Sequence, residues 1–268
     1  MASTHETEIG DVEVIKRYRT WARGEPDREW RALHLLERHA SGLAPCPLRR
    51  IDDHGRPVIV MSRLAGASLG GRPLDEHQVV AVAAALDRLH AAVPTCEVDM
   101  LPRRLWYVPE AVQELRKRVE HRPPGLGPAI RRALVLGADW LSSADVARLC
   151  EQEVRPVLGN GDGNIANFLW DGTRCAVVDF EDSGGTDRAF EVADLVEHVA
   201  CGIGGVLDGD ALLRHLALDS DEARRAQQAR RLLALYWLIM LLPGAPGRDR
   251  NPVGSVDGQA ERLLQLLS

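Results

Sequence analysis

The segment from Val157 to Glu181 constrains the fold of this chain most, because it alternates short apolar runs with residues that favour tight turns. Phe168-Leu169-Trp170 has the composition of a β-strand, and Cys175-Ala176-Val177-Val178 has that of a returning strand. Between them, Asp171-Gly172 is a pair typical of hairpin turns. The segment therefore predicts a β-hairpin, so that the residues just outside its two strands meet at its open end.

Three side chains with oxygen donors lie in and around this hairpin. Asp162 precedes Asn167 by five residues, and Asp179 follows Asn167 by twelve. The first interval is that of the Asp and Asn in a kinase catalytic loop. Asn167 and Asp179 would meet where the hairpin opens, and two oxygen donors there suit Mg²⁺, which takes few protein ligands and completes its octahedron with water and substrate phosphates.

The same residues allow other interpretations. Asn160-Gly161 and Asp162-Gly163 are also ordinary turn dipeptides. The spacing Gly161-x-Gly163-x-x-Ala166 matches a relaxed dinucleotide-binding pattern, but that pattern requires a long helix where this chain has only a short apolar run. A calcium-binding loop fits poorly, because Ala166 stands at its third ligand position. The joint occurrence of loop, hairpin and second carboxylate favours a phosphoryl-transfer site.

A second signal lies near the N-terminus. The chain holds 33 Lys and Arg residues, of which only Lys16 and Lys117 are lysines. Lys16 ends the run Val12-Glu13-Val14-Ile15-Lys16, whose alternation and β-branching predict a strand. The apolar spacing from Asp27 to Ala40 predicts a helix after it, with Glu29 in the first turn. A kinase pairs its strand lysine with such a glutamate. The alternative is that Lys16 is an ordinary cation on an edge strand.

Together these residues resemble the aminoglycoside phosphotransferase and choline kinase group, small-molecule relatives of the protein kinases, and the resemblance covers most of the chain. The family pattern H-G-D, followed five residues later by Asn and then by I-D-[WF]-[ED], is similar to Asn160-Gly161-Asp162, Asn167 and Val178-Asp179-Phe180-Glu181. The run from Val58 to Gly66 is similar to the family's hinge, where backbone groups hold the adenine or guanine.

The resemblance implies an α+β, protein-kinase-like fold with two lobes. A small αβ N-terminal lobe that carries the nucleotide site and hinge would occupy residues 1–66, and a larger, mainly helical lobe with the catalytic loop and acceptor site would occupy residues 67–268. The helices expected there from apolar spacing and turn residues are Leu74 to Val93, Ala129 to Leu149, Asp187 to Ala200, Asp210 to Leu218, Glu222 to Leu242 and Val256 to Leu267.

The resemblance also implies an activity, namely transfer of the terminal phosphoryl group of ATP or GTP to a hydroxyl group of a small molecule, such as an aminoglycoside-like antibiotic or a cationic metabolite. Asp162 would be the catalytic residue that orients the acceptor hydroxyl, and Asn167 and Asp179 would bind Mg²⁺. The residues expected to hold the nucleotide are Lys16, steadied by Glu29, and the backbone of Ser62 and Leu64.

The chain departs from the family pattern at three places. Asn160 stands where the family usually has His, although asparagine can still hydrogen-bond the backbone. Glu191 stands where a shorter Asp normally anchors the catalytic loop, and Asp194 is a candidate to share that task. Only fifteen residues precede Lys16, too few for the complete hairpin and phosphate-covering loop of the relatives. This last departure motivates an alternative function, a non-catalytic kinase-like nucleotide-binding or regulatory protein.

Composition narrows the classes of partner and the cellular location that we expect for this protein. A net charge of −6 and a pI near 5.9 give no clustered basic face, so nucleic acid is not expected as a partner. The longest apolar run, Leu232 to Leu242, is eleven residues and ends at Pro243, too short to span a bilayer. With no secretory signal, we expect a cytoplasmic protein without membrane contact. Its five cysteines include no C-x-x-C pair and are expected to be reduced thiols.

Charge is unevenly distributed along the chain. Residues 151–210 hold thirteen Asp and Glu against three Arg, so the region of the predicted site is strongly acidic. An acidic surface near a phosphate site favours a cationic acceptor, because anionic substrates would be repelled. The alternative is that these charges only keep the surface solvated.

Overall fold

The computed structural model describes residues 5–202, 205–248 and 251–268. A small antiparallel sheet with one helix forms the N-terminal part, and a mainly helical remainder follows, which confirms the predicted α+β fold class. The strands are β1 Glu6–Ile9, β2 Glu13–Arg17, β3 Pro47–Asp53, β4 Arg56–Ser62, β5 Ala67–Ser68, β6 Val157–Gly159, β7 Phe168–Trp170, β8 Cys175–Val177 and β9 Gly184–Thr186.

The helices carry most of the second part of the chain. They are α1 Glu25–Ala40, α2 Glu76–Ala92, α3 Thr95–Val98, α4 Val108–Arg118, α5 Pro128–Leu141, α6 Ala144–Glu151, α7 Arg188–Glu197, α8 Val199–Gly202, α9 Gly209–His215, α10 Ser220–Met240 and α11 Ser255–Leu267. A short 3-10 turn, Ile165–Asn167, leads directly into β7. In the part of the chain that the structure describes, no helix has both the length and the apolarity needed to cross a bilayer.

The N-terminal sheet has the strand order β1-β2-β4-β3 and is antiparallel throughout. Strand β2 therefore lies between two neighbours, with Lys16 opposite Thr7 on one side and Ile59 on the other. The alternative interpretation of Lys16 as an edge-strand cation is wrong, because its strand is an interior one. The predicted hairpin from Phe168 is present as β7 and β8, and β7 also pairs with β5 on its other side.

Two apolar cores hold the fold together. The first joins the sheet and α1 to α2 and the β7–β8 hairpin, through residues such as Tyr18, Leu33, Ile59, Phe168 and Val177. The second lies among the later helices, chiefly α4, α5, α6, α10 and α11. Because the first core runs from the sheet into the hairpin, burial of apolar surface fixes the two strand systems relative to each other. A boundary between lobes at residues 66 and 67 stays a prediction.

The helix expected from Ala129 to Leu149 is interrupted, and this prediction was wrong in its continuity. The chain forms α5 and α6 with Ser142 and Ser143 between them. The Ser142 hydroxyl donates to the Ala138 carbonyl, and serine side chains favour helix ends because they compete with backbone hydrogen bonds. Helix α2, expected from Leu74 to Val93, begins with a capping box at Asp75.

Candidate active site

The loop after β6 is tied to the end of the β7–β8 hairpin by Asn160. Its side-chain amide donates to the carbonyls of Val178 and Asp179, at 3.2 and 3.0 Å. Asp179 has a φ of +66°, a left-handed conformation that is uncommon for a residue other than glycine. The two hydrogen bonds hold this unfavourable backbone in place, so an asparagine performs here the backbone contact expected of it.

Asp162 and Asn167 form a hydrogen-bonded pair across this loop. The Asn167 amide nitrogen donates to Asp162 Oδ2 at 3.1 Å, and Asp162 Oδ1 accepts from the backbone N–H of Asn164 at 3.2 Å. Because the Asp162 carboxylate only accepts when ionised, the amide nitrogen of Asn167 must face it. The carbonyl oxygen of the Asn167 side chain then remains as a donor atom for a cation.

Two glycines let the loop approach its surroundings closely. Gly161 has a φ of +88°, and a Cβ there would lie 2.2 Å from the Asp182 carbonyl oxygen. A Cβ on Gly163 would lie 2.3 Å from the Asp194 carbonyl oxygen. Both clashes would be with backbone, which cannot swing away like a side chain. The loop therefore needs glycine at both positions if Asp162, which lies between them, is to keep its place.

Arg104 anchors the loop from beneath. Its guanidinium is buried, donates to the Gly161 carbonyl and to Asp194 at 2.7 Å each, and pairs with Glu191. Glu191 in turn accepts from the Gly161 N–H at 3.3 Å. Burial raises the pKa of Glu191, although the charge of Arg104 opposes this. Glu191 thus holds the loop despite its extra methylene group, and Asp194 joins it through the shared arginine.

Lys16 lies in a cluster of three carboxylates drawn from distant parts of the chain. Its ammonium is 2.7 Å from Glu29 and 2.6 Å from Glu181, and it also pairs with Asp179. Burial by itself would lower the pKa of Lys16, but these three carboxylates outweigh that effect and raise it. The ammonium therefore stays charged. It is a buried cation that is able to bind an anionic ligand.

Glu29 is fixed on α1, but not in its first turn as expected. The helix begins at Glu25, with Pro26 in its first turn, so Glu29 is the fifth helical residue. The expected start at Asp27 overlooked that proline is well tolerated at the first helical positions. Glu29 accepts from the Tyr18 hydroxyl and, at 3.3 Å, from the Phe180 N–H. These contacts join the helix to the sheet and to the residue after Asp179.

Glu181 is the third carboxylate of the cluster. Burial and the neighbouring Asp179 raise the pKa of Glu181 to about 7, although Lys16 opposes this shift. One oxygen each from Glu29, Asp179 and Glu181 lie within 4.8 Å of one another. This set consists only of hard oxygen donors, which is the chemistry that Mg²⁺ prefers.

A cavity of about 400 Å³ opens beside this cluster. Of the seven predicted site residues, the six that line it are Lys16, Glu29, Ser62, Leu64, Asn167 and Asp179. The seventh, Asp162, contacts the cavity through its hydrogen bond to Asn167. The Ser62 N–H already donates to the Cys46 carbonyl at 2.9 Å, so only its carbonyl is left for a ligand. Within the described ranges, the Leu64 N–H has no hydrogen-bond partner.

On the other side of Asp162, a row of aromatic side chains leads away from the cavity. The Nε2 atom of His198 is 3.7 Å from Asp162 Oδ1, and its ring is 4.7 Å from that of Trp237. Tyr236 follows at 5.2 Å and Trp106 at 4.1 Å, measured between ring centroids. Burial, with Asp194 and Asp179 nearby, raises the pKa of Asp162 to about 6, so it is mostly ionised at neutral pH.

Sequence reasoning missed Arg104, His5 and the aromatic row. Arg104 lies in a loop between Pro102 and α4, where no periodicity distinguishes one arginine from its neighbour Arg103. Its partners are 57 to 90 residues away in the sequence, so no local pattern could have revealed them. Glu181 belongs to the motif that begins at Val178, but nothing in the sequence showed that its carboxylate would pair with Lys16.

Comparison with known proteins identifies relatives. Residues 7–227 match the model of the phosphotransferase enzyme family. No curated protein sequence matches the chain. Among solved structures, the GDP complex of aminoglycoside 2'-phosphotransferase-IIIa is 15% identical, with a TM-score of 0.67, over 100% of this chain and 90% of that chain.

Two further structures are similar. A choline/ethanolamine kinase family protein from Mesorhizobium loti is 18% identical, with a TM-score of 0.67, over 100% of this chain and 86% of its own. An ADP-bound aminoglycoside phosphotransferase is 16% identical, with a TM-score of 0.61, over 99% and 90%. At these identities the structures show the fold alone, and the predicted kinase-like fold is confirmed.

Proposed function

The chain belongs to the phosphotransferase enzyme family, and on that basis we propose that it transfers the terminal phosphoryl group of ATP or GTP to a hydroxyl group of a small molecule. The observation that carries this proposal is the convergence of Lys16, Glu29 and Asp179 around one point. They come from a strand, a helix and a hairpin end that are up to 163 residues apart in sequence. Similar structures that hold GDP and ADP support a nucleotide as donor.

The residues present fit a Mg²⁺ ion. Asp179 offers a carboxylate that is partly exposed to the cavity, and Asn167 offers the side-chain oxygen that its bond to Asp162 leaves free. When bound, the ion would neutralise charge that develops on the phosphate groups of the nucleotide. Asp179 and Asn167 are therefore proposed as its ligands.

The chain's own side chains would position the reactants. Lys16 would exchange its contact with Asp179 for phosphate oxygens, while Glu29 keeps it in place on the cavity wall. Asp162 would accept a hydrogen bond from the acceptor hydroxyl and take its proton as the phosphoryl group is transferred. Positioning and charge neutralisation carry most of such catalysis. A pKa near 6 leaves Asp162 able to accept that proton at neutral pH.

We propose a cationic acceptor. Burial raises the pKa of Tyr236. The carboxylates of Asp194, Asp182 and Asp162 add to this shift and Arg118 opposes it, so three of the four charges that act on this tyrosine are negative. Another cavity of about 400 Å³ begins at Trp106 and Tyr236. It is also lined by Glu110, Glu114 and Arg118, and since Arg118 pairs with Glu114, the charge of Glu110 remains in excess. Aromatic faces and carboxylates together attract ammonium groups. The names of the similar structures, which include aminoglycoside phosphotransferases and a choline/ethanolamine kinase family protein, are consistent with such an acceptor.

Two substitutions test the assignment. Asp162→Ala should abolish phosphoryl transfer while Mg²⁺-nucleotide binding persists, because Asp162 does not line the nucleotide cavity. Asp179→Ala should also lose metal-dependent binding. Asp139→Ala, an exposed residue of α5, is the matched control and should change neither. Unimpaired turnover in Asp162→Ala rejects the proposed role.

The acceptor is found by a transfer screen. Labelled ATP and GTP would be offered with hydroxylated amines, aminoglycosides and sugars, and product formation would be measured with the wild-type protein and Asp162→Ala. Nucleotide binding with neither phosphoryl transfer nor slow hydrolysis would favour the alternative of a non-catalytic kinase-like nucleotide-binding protein.

A further inference from the structure

The first described residue of the chain lies over the nucleotide cavity. Strand β1 pairs with β2 so that Thr7 is opposite Lys16, and His5 precedes β1 on the same edge of the sheet. The His5 side chain lines the cavity, is only 2% exposed, and its ring centroid is 4.6 Å from that of Tyr18. It therefore occupies a fixed position at the cavity wall.

The hydrogen bonds of His5 define which ring nitrogen carries the proton. Its Nδ1 accepts from the backbone N–H of Arg19 at 3.1 Å. An accepting Nδ1 is unprotonated, so Nε2 carries the hydrogen and is a donor. Among the residues that the structure describes, this buried Nε2 has no hydrogen-bond partner. A buried donor without a partner is costly, and a ligand in the cavity would satisfy it.

The carboxylate of Glu181 shows where an anionic oxygen would lie. Its Oε2 atom is 2.6 Å from the ammonium of Lys16 and 3.1 Å from His5 Nε2, although the angle at His5 does not make a hydrogen bond. One oxygen position is therefore within reach of both donors. Glu181 Oε2 therefore marks the part of the cavity where an anionic oxygen lies near both donors.

We propose that His5 donates from Nε2 to a phosphate oxygen of the bound nucleotide, next to Lys16. This inference rests on the proposed nucleotide-dependent function. It adds a residue outside the family's motif to the binding site. The phosphate oxygen would lie beside the position of Glu181 Oε2, in line with the N–H of His5, and Glu181 would turn away from Lys16.

Calorimetry with three variants and three ligands tests the contact. The ligands are the nucleoside triphosphate that the wild-type protein binds, its diphosphate and the bare nucleoside, each with Mg²⁺. In His5→Gln the side-chain amide reaches about as far as Nε2, whereas in His5→Asn it ends near Nδ1 and cannot reach the phosphate. His5→Leu keeps the packing against Tyr18 but removes the donor. His77→Leu, exposed on α2, is the matched control.

We expect His5→Leu and His5→Asn to weaken triphosphate binding by about tenfold or more, as for a lost hydrogen bond to a charged group. His5→Gln should stay within about threefold of the wild type, and nucleoside binding should be the same in all variants. Thermal unfolding reports whether each variant folds. The comparison of His5→Gln with His5→Asn decides the matter even if His5→Leu does not fold.

Failure of the inference is distinguishable from failure of the proposed function. If the wild-type protein binds no nucleotide, both fall together. If the wild-type protein binds nucleotide, and His5→Asn and His5→Leu bind the triphosphate as tightly as the wild type does, only the role of His5 is overturned. A loss of nucleoside affinity equal to the loss of triphosphate affinity also overturns it, because His5 would then act by packing alone.

Discussion

Replacing Arg104 by methionine tests how the catalytic loop is held. Methionine has a similar length and no charge, so the substitution fills much of the same space. It leaves the carboxylates of Glu191 and Asp194 buried without their shared cation, and it removes the donor to the Gly161 carbonyl. Removing one partner of a buried ion pair typically costs about 3–5 kcal/mol.

That cost is large compared with a typical domain stability of about 5–15 kcal/mol, so we expect a folded but clearly weakened protein. The loss should depend on pH. Burial already raises the pKa of Glu191, and without Arg104 its pKa rises further. A carboxyl group whose folded pKa is raised destabilises the fold when ionised, so the deficit should be largest above that pKa and should shrink as the pH falls through it.

Urea denaturation at several pH values measures the free energy of unfolding. Steady-state kinetics measure kcat and KM, which report whether the loop that carries Asp162 is still correctly positioned. Glu191→Gln in the Arg104→Met background removes one unpaired charge and should recover part of the stability. Arg132→Met, exposed on α5, is the control and should change little. We also expect kcat to fall more than the KM for nucleotide changes, because Gly161 precedes Asp162. An unfolding free energy within about 1 kcal/mol of the wild type at neutral pH would refute the reasoning.

Three further predictions concern other parts of the molecule. His90 is buried with no hydrogen-bond partner for either ring nitrogen among the described residues, and burial lowers its pKa to about 3. Below about pH 6.5 this histidine therefore binds a proton in the unfolded chain but not in the folded one. The difference lowers the free energy of unfolding by about 2 kcal/mol at about pH 5. His90→Leu should remove this acid sensitivity in urea denaturation at about pH 5 and 8, and an unchanged pH dependence would contradict it. Gly163→Ala should abolish transfer because its Cβ would meet a backbone carbonyl at 2.3 Å, whereas Gly258→Ala in α11, which meets nothing within 4 Å, should be active and equally or more stable. Asn160→Ala should raise the Mg²⁺ concentration needed for half-maximal activity, because the positive φ of Asp179 loses its two hydrogen bonds; an unchanged Mg²⁺ requirement would count against this.

The hairpin and the loop before it were predictable from the sequence because their determinants are local. The turn at Asp171-Gly172 fixes which residues of β7 and β8 face each other, and that register brings Asn167 and Asp179 to one end. The pairing of Lys16 with Glu29 was also accessible, since a strand lysine followed by an amphipathic helix is a recognisable order of elements. Helix ends were less certain, as the interruption between α5 and α6 shows.

Contacts between distant residues could not be obtained in the same way. Arg104 and His5 act through partners that the fold supplies, and an arginine or histidine in an irregular segment carries no periodic signal. Glu181 belongs to the motif Val178-Asp179-Phe180-Glu181, yet its place beside Lys16 depends on how the sheet packs against the hairpin. The sequence thus predicts residues that a local pattern positions, while tertiary packing decides which others join them.

The charges around Lys16 argue for a ligand that brings charges of both signs. One ammonium faces the carboxylates of Glu29, Asp179 and Glu181, so the carboxylates outnumber the ammonium in a largely buried place. Burial, together with the negative charge of Asp179, raises the pKa of Glu181 to about 7, although Lys16 opposes this shift. An anion alone would add further negative charge, and a metal ion alone would leave Lys16 competing for the same carboxylates. A metal-nucleotide complex, as proposed, would let Asp179 pair with the metal instead of the ammonium, while Lys16 would pair with phosphate oxygens instead of a carboxylate. Each buried charge then keeps a partner of opposite sign throughout, which is the condition that makes burying it tolerable.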